Sequence, residues 1–220
     1  IDIPLDVQAA QIDPAELKGF EPSAEPAVDF AHQIARALEA LSGAKRPVIY
    51  AGNGVRTAGA VELFRVLADH LGLPVLLTWK AADFLPDEHP GYVGRPGCMG
   101  QRGANFTQQK ADWLLVLGAR LDLPTVAFNH ANFAPRAFKV VVDVDAAELA
   151  KFKMPVDLPV QADLVDFLPA LVAAAQKAAL PDFRAWRDQC RALAQRFPVV
   201  MPEYRAQADT PVSTYVLMDV

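Results

Sequence analysis

The sequence predicts an α/β fold built on a doubly wound parallel sheet, and three observations carry that prediction. First, short apolar runs such as PVIYA, PVLLTW, DWLLVLG and KVVVDVD lack the polar alternation of a half-exposed strand, so each is covered on both faces. Second, these runs take turns with segments whose apolar residues recur at three and four positions. Third, strand and helix in alternation require crossover connections, and crossovers join parallel strands.

The elements follow in order. Residues 1–24 are punctuated by Pro4, Pro14, Gly19 and Pro22 and show no period, which reads as a linker. Ala27, Phe30, Ala31, Ile34, Ala35, Leu38 and Leu41 then mark one face of a helix that stops near Gly43. PVIYAGNG is a strand halted by glycines. Val61, Phe64, Leu67, Ala68 and Leu71 make a second helical face, and PVLLTW a second strand. A long Gly/Pro-rich segment, 83–103, reads as loop. DWLLVLG and KVVVDVD are further strands and LPVQAD a short one. Helices are expected over 164–180 and 182–197, and the chain from Pro198 is again linker-like. The central unit is therefore set at 25–181, with 182–220 as a helix and linker. Both chain ends read as cut from something longer.

Composition narrows the function classes. The 220 residues are 52% hydrophobic and 21% charged with a net charge of −5, and the basic residues are scattered, so a phosphate-backbone footprint is missing and nucleic acid is not an expected partner. No apolar stretch is long and clean enough to span a bilayer. Cys98 and Cys190 lie far apart without a Cys/His neighbourhood, which points to a reducing, cytoplasmic setting rather than a disulfide or zinc framework. His32, His70, His89 and His130 fall on different elements, and no HExxH, GxSxG or Walker A pattern occurs.

In an open parallel sheet, ligands sit beyond the carboxyl ends of the strands. Gly52 and Gly54 in AGNGVRTAGA have G-x-G spacing, but Thr57 stands where the third glycine of the dinucleotide fingerprint belongs, and the second strand ends in Thr78 and Trp79 rather than an acid. The acids of VVVDVDAAEL lie on a much later strand. Asp145 and Glu148 have the spacing of a capping box, whereas Asp143 is left over by that motif and is the better ligand candidate.

Four collinear segments, RPVIYAGNGV, LGLPVLLTWKAADFLPDEHPGYVG, ADWLLVLGARLD and KVVVDVDAAEL, resemble the central domain of thiamine-diphosphate-dependent enzymes, above all the acetolactate-synthase branch. That resemblance implies a six-stranded Rossmann-like sheet lying between two catalytic domains of the same chain, which in the family bind thiamine diphosphate and Mg2+. The whole enzyme would then be a lyase or transferase working as a homodimer or homotetramer, and this segment alone would be inactive.

It also implies FAD in a structural role, held by strand-end residues. Carried over, these are Gly52, Asn53 and Gly54; Thr78, Trp79 and Lys80; Gly100, Gln101, Arg102 and Gly103; Gly118, Ala119, Arg120 and Asp122; Asp143, Val144, Asp145 and Glu148; and Ala162 and Asp163. Glycines there would let backbone amides reach a diphosphate that Arg120 could pair with. The chain departs from the branch at Gln101 and Arg102, where Met-His is usual, and at Leu123 and Pro124, where Asp-Arg follows the first acid. A ligand-free scaffold that spaces the catalytic domains is therefore the alternative. A free-standing NAD-dependent dehydrogenase or deacylase is disfavoured, because the sequence places no catalytic His or fingerprint acid for it.

Overall fold

The computed structural model describes residues 2–19, 29–206 and 214–218. In chain order the elements are α1 (Leu5–Gln8), α2 (Ala31–Ser42), β1 (Pro47–Ala51), α3 (Gly54–Thr57), α4 (Val61–Leu71), β2 (Val75–Leu77), β3 (Tyr92–Gly94), α5 (Arg102–Lys110), β4 (Trp113–Leu117), β5 (Phe138–Asp143), α6 (Ala146–Ala150), β6 (Leu158–Gln161), α7 (Leu164–Ala175), α8 (Arg184–Arg196), α9 (Pro202–Arg205) and α10 (Thr214–Met218). Single 3-10 turns occur at Trp79–Ala81 and His130–Asn132.

All six strands are parallel, in the order β3-β2-β1-β4-β5-β6. The chain builds outward from β1 to β3, then crosses back to lay β4 on the other side of β1. The winding reverses there, so the crevice between the ends of β1 and β4 is the place where such a sheet takes a ligand.

Period two divides the strand side chains between two core layers. Ile49, Ala51, Leu115, Leu117, Val140 and Val142 face the layer closed by α2, α4 and α7. Val48, Tyr50, Leu114, Val116 and Val141 face the layer that includes Ala104, Trp186 and Cys190. Two indoles tie helix layers to the sheet, Trp113 Nε1 donating to the Ala37 carbonyl at 3.2 Å and Trp186 Nε1 to the Pro47 carbonyl at 3.1 Å. Cys98 is exposed, and Cys190 is buried, its thiol pushed up to about 12 by that burial. Among the described residues no helix is long and apolar enough to cross a membrane.

The fold class matches the sequence-based expectation, with differences in the elements, among them short helices α1, α9 and α10 in the segments read as linker. The sixth strand, Tyr92–Gly94, lies inside the segment read as loop: three residues following Gly91 are too few to show a period. Helix α5 was not read either, because its buried face is Gly103, Ala104, Thr107 and Gln108 rather than large apolar side chains. Small residues serve there, since a Cβ on Gly103 would come within 2.6 Å of Ala194 Cα on α8. Helix α7 stops at Ala175 and not at residue 180, and α2 begins at Ala31, Ala27 lying outside the described residues.

Candidate ligand site at the switch point

The site begins with three glycines packed on one another. Beyond the strand ends the ladder runs on for a residue or two: the Gly52 N–H donates to Leu117 O (2.9 Å), Gly54 N–H to Gly118 O (2.9 Å), and Gly118 N–H to Val142 O (3.0 Å). A Cβ on Gly52 would sit 2.4 Å from Gly118 O, and one on Gly54 2.7 Å from Gly118 Cα. Gly118 itself has φ +55°, a conformation costly for other residues. The amides of Gly52 and Gly54 are thus committed inside the protein. The expectation that they face a diphosphate is corrected: glycine is needed here for the close approach of two turns.

Above these turns lies a cavity of about 720 Å³, within the ~300–1,000 Å³ range of ligand clefts. Five strand ends supply its walls: Asn53 and Gly54 after β1; Thr78, Trp79 and Lys80 after β2; Gly118, Ala119, Arg120 and Asp122 after β4; Asp143 and Val144 after β5; Ala162 and Asp163 after β6. Thr57, Ala58, Leu121, Thr125 and Leu164 also line it and were not foreseen, and Pro124, noted as a departure from the family, lines it too. Thr57 stands at the very position where the fingerprint fails, a signal that was available; the others come from irregular loop or a helix start and carry no pattern.

Three carboxylates reach the cavity, each with one oxygen already used. Asp143 Oδ1 accepts from the Asp145 N–H (3.0 Å), Asp163 Oδ1 from the Val165 N–H (2.9 Å), and Asp122 Oδ1 from the Thr125 N–H (3.0 Å). Their second oxygens have no hydrogen-bond partner among the described residues, so they can accept from hydroxyl or amine donors. Trp79, 59% exposed, presents a flat apolar surface.

Asp145 and Glu148 stand beside the cavity rather than in it. Asp145 caps α6 by accepting from the Ala147 N–H at 2.8 Å, an N-cap bond to the second helical residue rather than the third that a capping box uses. Glu148 does not complete the box. Its carboxylate bonds Arg120 Nη2 (2.7 Å) and Lys151 Nζ, and those two cations, Arg120 foremost, hold it below the usual carboxylate range. A charged partner outcompetes a single backbone amide for that carboxylate.

Gly100, Gln101, Arg102 and Gly103 do not line the cavity. Gln101 Oε1 accepts from the Arg95 N–H (2.7 Å), closing the tight Arg95–Gln101 loop. Arg102 lies over the Phe197 ring at 4.3 Å, and Gly103 packs against α8.

One wall is braced from behind. Arg56 donates to Lys80 O (2.9 Å), pairs with Asp83 and stacks over Phe84 at 5.0 Å, while Arg65 Nε donates to Phe84 O (2.7 Å). The segment that carries Trp79 and Lys80 is held by these contacts. On the opposite side, the loop after β4 places Leu121, Ala127, Phe128 and Ala134 at φ between +40° and +57°, and the buried Leu121 and Ala134 anchor it.

Fold and site together define a doubly wound domain with a cofactor-sized cleft at its switch point. Residues 34–171 match the family described as thiamine pyrophosphate enzyme, central domain, and the chain belongs to that family. It is 36% identical to the acetolactate synthase large subunit of Corynebacterium glutamicum over 205 residues, covering 90% of this chain and 32% of that protein. It is also 36% identical over 220 residues to the acetolactate synthase isozyme 1 large subunit of Escherichia coli K12, covering 100% of this chain and 37% of that protein. Against the large subunit of Lactococcus lactis the identity is 34% over 176 residues, 78% of this chain and 30% of that protein. The chain spans about a third of the length of these curated relatives.

Proposed function

We propose that this domain holds FAD in a structural role within an acetolactate-synthase-like enzyme that makes or breaks a carbon–carbon bond next to a carbonyl. The observation that carries the reading is the switch-point cavity: about 720 Å³, with free carboxylate oxygens on Asp122, Asp143 and Asp163, an exposed indole, and Lys80 and Arg120 as the cations at hand. These residues fit a flavin nucleotide. Asp143 and Asp163 would accept from ribose hydroxyls or an adenine amine, Trp79 would lie against a ring, and Lys80 and Arg120 would meet the diphosphate. Thiamine diphosphate and its Mg2+, on flanking catalytic domains, would supply the nucleophilic carbanion.

The central unit, residues 25–181, would then join a preceding domain through 1–24 and a following one through 182–220, in a cytoplasmic homodimer or homotetramer. One set of observations favours the second reading, a ligand-free scaffold. The Gly52 and Gly54 amides are spent, and Arg120 is already paired with Glu148, which leaves Lys80 as a cation lining the cavity with no ion pair among the described residues.

Titration of the chain with FAD, followed by tryptophan fluorescence, decides between them. Trp113 and Trp186 are buried, so the exposed Trp79 reports on the cleft. Flavin-dependent quenching that disappears in Trp79→Leu supports the cofactor reading. No quenching, together with no FAD retained in equilibrium dialysis, supports the scaffold.

A further inference from the structure

At the opposite end of the sheet, β5 opens on a buried amine for which the cofactor reading has no use. Lys139 is 4% exposed and lies on the strand face it shares with Val141. An ammonium carries three donors. Lys139 Nζ makes one hydrogen bond, to Ala137 O at 3.2 Å, and no ion pair among the described residues. Burying a cation without a counter-ion is costly, and the group responds by giving up its proton.

The residue is not sealed in apolar packing. Lys139 and Ala137 line a cavity of about 430 Å³ between the segments that lead into β4, β5 and β6. Three other charged groups line it. Asp157 uses one carboxylate oxygen on Lys139's own backbone N–H (2.8 Å), and Asp112 accepts the Lys45 and Arg46 N–H groups (3.1 and 2.8 Å). Arg136 adds a like charge to the wall. Burial lowers the pKa of the Lys139 amine, and Asp157 opposes this as the smaller influence. A buried amine with a lowered pKa and one acceptor, on a residue that lines a cavity, has the features of a nucleophilic lysine.

We propose that Lys139 is a site of covalent acylation by small acyl donors of the acyl-phosphate or acyl-thioester class. The Nζ lone pair attacks the acyl carbonyl carbon and forms a C–N bond. The C–O bond to phosphate, or the C–S bond to the thiol, breaks with its electron pair on the leaving group, and the surplus Nζ proton passes to solvent. No oxidant or reductant is required. The product is a neutral amide whose N–H can keep the bond to Ala137 O, so acylation retains the one hydrogen bond the site offers and leaves no group there that can take up a charge.

The test exposes the folded chain and the urea-unfolded chain to acetyl phosphate at neutral pH and follows each of the eight lysines by peptide mass spectrometry. Acetylation at Lys139 is expected to be faster in the folded chain than in the unfolded one, while the other seven react no faster folded than unfolded. A Lys139 that reacts at the same rate in both states, or is protected by folding, overturns the proposal. The comparison uses the wild-type chain throughout, so it does not depend on a variant that folds.

Discussion

At the scale of single residues, the two acids of VVVDVDAAEL have separate jobs. Asp145 is spent on the α6 cap, so Asp145→Ala should cost about 1 kcal/mol of stability in urea titration and leave ligand affinity alone. Asp143 keeps one oxygen toward the cavity, so Asp143→Ala should weaken FAD binding with little loss of stability. The reverse pattern in the two variants would contradict these assignments.

Gly118→Ala should cost at least ~1 kcal/mol, because it adds both a left-handed strain and a Cβ 2.7 Å from Gly54 Cα. Lys139 gives a pH test. Its folded-state pKa lies below the unfolded value, so between the two the unfolded chain binds more protons and folding stability rises with pH. Lys139→Met removes that slope; the stability of wild type relative to Lys139→Met should therefore climb as pH rises from the lowered folded-state pKa to the ordinary lysine pKa. A difference that stays flat with pH would show that the amine is not destabilised in its charged form.

At the scale of elements, what could be read from sequence was what large side chains announce. β1, β4 and β5 are apolar runs buried on both faces, and α4 shows Phe64, Leu67, Ala68 and Leu71 at helical spacing, so their places were legible. β3 and α5 were not, because three residues beside glycines cannot display a period and a face of Gly, Ala, Thr and Gln does not look like core. The site divided in the same way. Most of the lining lies at strand ends and was named through the family resemblance; of Gly100–Gly103, which the same resemblance named, Gly100 and Gln101 pack back on the Arg95–Gly97 turn while Arg102 and Gly103 lie against Phe197 and α8. Thr125 and Leu121 come from a segment with no regular structure. Within this scale, Arg56→Met should loosen the wall carrying Trp79: acrylamide quenching of Trp79 is expected to increase while the urea midpoint moves little, since the ion pair with Asp83 is exposed. Unchanged quenching would mean that Arg65 and the local turn suffice to hold the wall.

At the scale of the whole molecule, the sheet order places the reversal of winding between β1 and β4, and the cleft of about 720 Å³ coincides with it. The same order puts Lys139 at the far end of the sheet, so a cofactor at one end and a modified lysine at the other would not compete for space. Residues 34–171, the part that matches the thiamine pyrophosphate central-domain family, supply the whole lining of this cleft. The most direct test of the central claim is the visible absorption spectrum of the full-length enzyme as purified. The account predicts flavin bands that are released on denaturation and lost in Asp143→Ala. A colourless enzyme that takes up no added FAD would contradict it.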